Sequence, residues 1–176
     1  MKRNILIEEQ YLEACEHYYN DELAECKKIL HELLEDYPDY APAHEYLGSI
    51  YYDELKDTEQ AERHYMLAIN YAKNRSSAYY KYLTLLTKSG RYEEAARLLD
   101  RMEQVKGINK QTLLLYRGEV AENSGKLREA LALYKKALRT LTEEDYCEYH
   151  FRAIWRVRSK QIELHPLGWI FRIFRK

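Results

Sequence analysis

Histidine and cysteine are the residues most able to do chemistry in this 176-residue chain, and their spacing decides whether they do. The histidines are His17, His31, His44, His64, His150 and His165. Two segments, HELLE at 31–35 and HEYLG at 44–48, begin like the zinc motif HExxH. That motif needs a second histidine one helical turn on, so that two imidazoles share a face and the glutamate acts as base. Neither segment has it, and both are expected as plain helix surface. Adjacent acids such as Glu35 and Asp36 read as solvated surface, not as a general acid and base. There is no GxSxG turn and no glycine-rich phosphate loop. Cys15, Cys26 and Cys147 are odd in number and contain no CxxC, so neither a disulfide framework nor a metal site is expected. Cys15 and Cys26 are expected to be buried and reduced. The expectation is a chain without catalysis, cofactor or metal.

The elements that carry these residues repeat. Cys26, Ala61, Ala95 and Ala130 are separated by 35, 34 and 35 residues. Leu30, Tyr65, Leu99 and Tyr134 follow with the same gaps, as do Leu33, Ala68, Met102 and Ala137. Within each copy the pattern is small, large, small at i, i+4 and i+7, which is one stripe of a helix. Gly90 and Gly125 mark turns before two of these helices. Ahead of each turn lies another helix with a midpoint at Cys15, Gly48, Leu83 or Gly118. Glycine in mid-helix costs about 1 kcal/mol against alanine, so the close approach of another helix is expected there. Pro38, Asp39 and Gly107 punctuate the joints. A period of this length marks stacked helical hairpins that bury their apolar faces against one another.

HEYLGSIYYDELKDTEQAERHYMLAI and LLLYRGEVAENSGKLREALALYKKAL resemble tetratricopeptide repeats. So do AYYKYLTLLTKSGRYEEAARLLDRM and, more loosely, YLEACEHYYNDELAECKKILHELLEDYP. The first and third units lack the mid-helix glycine, only the first ends in proline, and the second has one extra residue in its turn, near Leu55. The resemblance implies an all-α, right-handed superhelical solenoid of about four repeats, whose first helices line a concave face. The expected organisation is a repeat array over 1–141 (about 8–38, 41–74, 76–107 and 110–141), a capping helix over 142–165 and a tail over 166–176. Most relatives of this kind bind proteins, as adaptors, scaffolds or chaperone-like modules.

Composition agrees with helix: 3 Pro, 6 Gly, and 18 Tyr against 3 Phe. Tyrosine fills a small hairpin with its ring while its hydroxyl reaches water or a partner. No signal peptide and no apolar run of about 20 residues are present, so a cytoplasmic protein is expected. Charge is segregated. Residues 1–74 carry 17 acidic and 7 basic side chains (−10), and the remainder 12 acidic and 21 basic (+9). Such a dipole steers encounters and favours head-to-tail association, screened by salt.

Counting from the helix midpoints, the concave face is expected to present Leu12, Glu16, Tyr19 and Asn20, then Glu45, Ser49, Tyr52 and Asp53. Tyr80, Thr84, Thr87 and Lys88 follow, then Leu115, Glu119, Glu122 and Asn123. The lysine, arginine and asparagine clamp with which many relatives hold a peptide carboxylate is missing. An acidic groove with tyrosine rings suits a peptide that carries Arg or Lys beside apolar anchors.

After the last repeat, EEDYCEYHFRAIWRVRSKQIEL continues as a helix with Phe151, Ile154, Trp155 and Val157 on an apolar side, and Arg152, Arg156, Arg158 and Lys160 on a basic one. Capping the solenoid is its expected role. Beyond the break at Pro166 and Gly168, Trp169, Ile170, Ile173 and Phe174 would share one side of a helix, with Arg172 and Arg175 opposite. This tail suits folding back on the solenoid, binding a partner or second copy, or lying on an anionic membrane. A scaffold that self-assembles or docks to a membrane through this tail is thus the alternative to a peptide-binding module. Nucleic acid is not expected, because the chain has no overall basic balance.

Overall fold

The computed structural model describes residues 2–140 and 147–164, without the side chains of 2–4 and 147. These residues form nine α-helices and no strand. The first five are α1 (Lys2–Tyr19), α2 (Leu23–Asp36), α3 (Ala41–Asp53), α4 (Thr58–Tyr71) and α5 (Ser76–Lys88). They are followed by α6 (Tyr92–Met102), α7 (Lys110–Asn123), α8 (Leu127–Arg139) and α9 (Cys147–Glu163). The chain divides into two compact units, Met1–Leu85 and Leu86–Lys176, with the division inside α5. In the first unit α1 pairs with α2 and α3 with α4. In the second, α7 pairs with α8, α6 lies against α7 and α9 lies against α8.

Local chemistry sets the helix starts. Pro42 sits in the first turn of α3, where its missing N–H costs nothing. Asp57 caps α4 by accepting from the Gln60 N–H at 3.1 Å. Asn109 caps α7 by accepting from the N–H groups of Gln111 (2.8 Å) and Thr112 (3.3 Å).

Each hairpin turns on one residue with positive φ: Asp21 (62°), Lys56 (56°), Gly90 (73°) and Gly125 (81°). The next N–H returns to the carbonyl five residues back in three of them: Glu22 to His17, Arg91 to Leu86 and Lys126 to Ala121, at 2.8–2.9 Å. This closure satisfies the carbonyls that a helix end leaves free. In the second hairpin the Asp57 N–H reaches one residue further back, to Tyr51, at 2.8 Å. That wider turn absorbs the extra residue read near Leu55.

The repeating stripe is the core. Cys26, Ala61, Ala95, Ala130, Leu30, Leu33, Ala68, Tyr134, Met102 and Ala137 are all wholly buried, and Tyr65 and Leu99 nearly so. The two mid-helix glycines have a steric cause. A Cβ on Gly48 would lie 2.6 Å from the Tyr65 ring, and one on Gly118 would lie 2.6 Å from the Tyr134 ring. Leu30 and Leu99 stand at the same register in the first and third hairpins, whose first-helix midpoints in the sequence are Cys15 and Leu83. Glycine at the midpoint thus accompanies tyrosine at this register, and a larger midpoint accompanies leucine. The all-α helical repeat expected from the register is the observed fold.

Candidate protein-binding surface

The first helix of each hairpin supplies the positions counted above as a binding face. On α1, Leu12 (57% exposed), Glu16 and Tyr19 (82% exposed) are open to solvent, as is Asn20 just beyond its end. On α3, Tyr52 and Ser49 are half-buried and Asp53 is exposed. On α5, Tyr80 and Thr87 are half-buried, while Thr84 and Lys88 are exposed. On α7, Leu115 and Glu119 are half-buried and Asn123 is exposed, with Leu115 leaning on the core of the second unit.

Glu45 and Glu122 differ from the rest, because both are buried and neutralised by bases from later in the chain. Arg75 and Ser77 donate to Glu45 Oε2, Ser77 at 2.8 Å, and Lys81 Nζ lies 3.2 Å from Oε1. Lys81 also donates to Ser49 Oγ at 2.7 Å. Burial pushes the Glu45 carboxyl up, but the Ser77 and Arg75 hydrogen bonds and the Lys81 charge outweigh it, leaving a net depression. In the second unit, Arg156 forks onto both oxygens of Glu122 at 2.7 and 2.8 Å, and Lys160 adds 2.7 Å. Tyr134 Oη donates to Glu122 Oε2 at 3.0 Å. Burial is again outweighed, here by Arg156 and Lys160, and the Glu122 carboxyl falls to about 2. These positions are therefore less acidic than a count of carboxylates suggests. Arg75, Ser77, Lys81, Arg156 and Lys160 were not among the expected site residues. The signal for them was the repeat itself, since Glu122 and Arg156 stand one period apart.

The expectation that HEYLG lies on helix surface is corrected: His44 and Glu45 are both buried. His44 Nε2–H donates to the Pro38 carbonyl at 3.0 Å, which leaves its Nδ1 as acceptor. His64 Nδ1–H then donates across 3.1 Å to His44 Nδ1. Tyr71 stacks on His44 and Tyr51 on His64, at 5.6 and 5.4 Å between ring centres. His31 completes the cluster, 6.2 Å from the His64 ring. Burial depresses all three imidazoles, and His64, with His44 beside it, falls to about 4. Among the described residues no group of His, Cys, Asp and Glu has the arrangement of a metal site.

Cys15 is half-buried rather than buried, and Tyr11 and Tyr46 hydrogen-bond its thiol within a tyrosine cluster. In that cluster Tyr18, Tyr46, Tyr11 and Tyr40 meet edge to face, at 5.5, 5.9 and 5.8 Å in turn. Cys26 is buried as expected, and burial pushes its thiol up to about 11. The tail residues Trp169, Ile170, Arg172, Ile173, Phe174 and Arg175 lie outside the described residues. No described helix is long and apolar enough to cross a membrane.

No protein-family model and no curated protein matches the sequence. Solved structures do match in fold. The chain is similar to yeast Tom70 at a TM-score of 0.73 and 17% identity, covering 97% of this chain and 36% of that one. It is similar to a double mutant of MamA from RS-1 at 0.65 and 14%, covering 88% and 96%. It is also similar to PilW, a widely conserved type IV pilus biogenesis factor, at 0.63 and 14%, covering 89% and 81%. Hairpin register, glycine–tyrosine packing and these likenesses agree: the chain has the tetratricopeptide-like helical-repeat fold.

Proposed function

We propose that this chain is a non-catalytic protein-binding module, an adaptor that holds a peptide carrying Arg or Lys beside apolar anchors on the faces of its first-of-pair helices. One observation carries the reading. In a fold whose stripe residues are buried, α1 leaves Leu12 and Tyr19 mostly in water beside Glu16. The core does not need these side chains. Exposed or half-exposed rings beside carboxylates suit a ligand that offers cation–π contact and an apolar surface together. Tyr52 and Asp53 extend the same chemistry onto α3, and Tyr80 onto α5.

The test uses a defined probe, a synthetic peptide with the sequence of residues 165–176, and a version with Arg172, Arg175 and Lys176 replaced by Glu. Calorimetry should show binding of the basic peptide only, weakened by salt. Tyr52→Ala with Tyr80→Ala should weaken it by about 2 kcal/mol per ring at unchanged helix content. Equal binding of both peptides, or loss of stability in step with loss of binding, would overturn the reading.

A further inference from the structure

The first and last helices of the described chain carry matched exposed stripes of opposite charge. On α1, Ile5 (51% exposed), Leu12 (57%) and Tyr19 (82%) recur every seven residues. At 100° per residue they fall within about 40° of one another and run for about 21 Å. Glu8, Glu9 and Glu16, all exposed, flank them on both sides, and Ala14, wholly buried, faces the opposite way. Glu8 also accepts from Tyr40 Oη at 3.1 Å, which holds one of these acids in place on the stripe's edge.

On α9, Phe151 (57% exposed), Trp155 (62%) and Ile162 (45%) likewise fall within about 40° and run for about 16 Å. Arg152 flanks them on one side and Arg158 on the other, both exposed. Glu148 lies at the start of the stripe and ion-pairs with Arg152 at 2.5 Å. The opposite side of α9, with Ala153 and Val157, is wholly buried in the core of the second unit. The two stripes offer narrow apolar lines, edged by carboxylates on α1 and mainly by arginines on α9, where Glu148 offsets Arg152.

We infer that α1 of one copy docks on α9 of a second copy, a head-to-tail contact between different surfaces of identical chains. The occupant is another copy because both complementary faces belong to this one chain, and because the charge segregation of the whole sequence, −10 over 1–74 and +9 over the rest, orients two copies in this sense. A heterologous contact of this kind leaves a free α1 at one end and a free α9 at the other, so it propagates into rings or filaments and does not stop at a dimer. One helix pair buries a modest area, so the contact is weak, with Kd on the order of 10–100 µM. This inference rests on the proposed function only in treating α1 as a ligand-bearing helix. Tyr52 and Tyr80 take no part in it.

Sedimentation equilibrium of the full chain tests it. Wild type should show a mass that keeps rising with concentration past the dimer, with association about tenfold weaker in high salt. Leu12→Glu and Trp155→Glu should each remain monomeric, with helix content unchanged because both positions are exposed. Mixed in equal amounts, the two variants should form a dimer and nothing larger, because one supplies an intact α9 and the other an intact α1. Truncation after Leu164 should leave association in place. A monomeric wild type, single variants that associate like wild type, or a mixture that stays monomeric would overturn the inference. Loss of association on truncation would also overturn it, by moving the contact to the tail. Failure of the peptide test with success here would sink the groove reading alone, since Tyr52→Ala should leave self-association unchanged.

Discussion

The two units solve the same packing problem with different interiors. In the first, histidines and tyrosines share the space between helices with aliphatics: His44 and His64 are buried against each other, and half-buried Tyr11, Tyr18, Tyr40 and Tyr46 surround Leu47 and Ile50. In the second, the contacts of α8 and α9 are alanine, isoleucine, valine and leucine around Tyr134, with Glu122 held by Arg156 and Lys160. Their turns differ as well. The first unit turns on Asp21 and Lys56 at positive φ, where the second uses Gly90 and Gly125. The repeat thus specifies backbone register and volume, and it leaves the chemistry of the interior open. Polar groups in the first unit then make its stability a function of pH.

The largest effect expected from this comparison lies at the glycine–tyrosine contacts that both units share. Gly118→Ala puts a methyl within 2.6 Å of a ring whose hydroxyl is fixed to the Glu122 carboxylate. It should cost about 3 kcal/mol in urea unfolding. Adding Tyr134→Leu, which copies the residue at this register in the third repeat, should recover part of that loss. Gly48→Ala should cost less, because Ser49, a neutral hydroxyl, is the group that hydrogen-bonds Tyr65. Equal costs would show that the carboxylate anchor does not stiffen the ring.

Acid should separate the units next. His31, His44 and His64 have folded pKa values below the ordinary 6.5, so the folded first unit binds fewer protons than its unfolded chain. Its stability from these groups is complete above about pH 6.5 and falls as pH drops towards 4, by on the order of 2 kcal/mol. Lys27 and Arg63 add to the repulsion, and Glu35 opposes it. Glu122 is depressed to about 2 from 4.5, so its contribution is present above about pH 4.5 and is lost only below that. Hydrogen exchange followed from pH 7 to 4 should therefore show α3 and α4 losing protection before α7 and α8. His64→Phe should bring the two into line. Simultaneous loss would mean that the cluster does not set the acid limit.

The smallest effect concerns the turns. Gly90 and Gly125 have nothing within 4 Å of where a Cβ would stand, so alanine there pays in torsion alone. Gly125→Ala should cost about 1 kcal/mol by thermal melting. Lys56→Gly should change stability by less, since relief of the left-handed backbone is offset by a more flexible unfolded chain and by loss of the Lys56 Nζ bond to the Asp53 carbonyl. If Lys56→Gly matched the Gly125→Ala effect in size, the turns would not be the equivalent positions their spacing makes them.

Much of this was legible from residue types and spacing. The stripe from Cys26 to Ala137 is buried throughout, because a helix whose small and large residues recur at 3.6-residue spacing can bury only that side. The turn residues Asp21, Lys56, Gly90 and Gly125 sit five residues before the first stripe position in every hairpin, although only the glycines announced themselves. The exposure of Leu12, Glu16 and Tyr19 also follows from helix geometry. The sequence by itself determined the helices, their pairing into hairpins and the side each turns inward, since these depend on contacts among near neighbours in the chain. Tertiary structure alone decided which polar residues of the outer side are covered. Glu45 and Glu122 look like solvated acids until a segment about 30 to 38 residues further on brings Arg75 and Lys81, or Arg156 and Lys160, onto them. Burial at such a position is a property of the next repeat, and no local pattern records it.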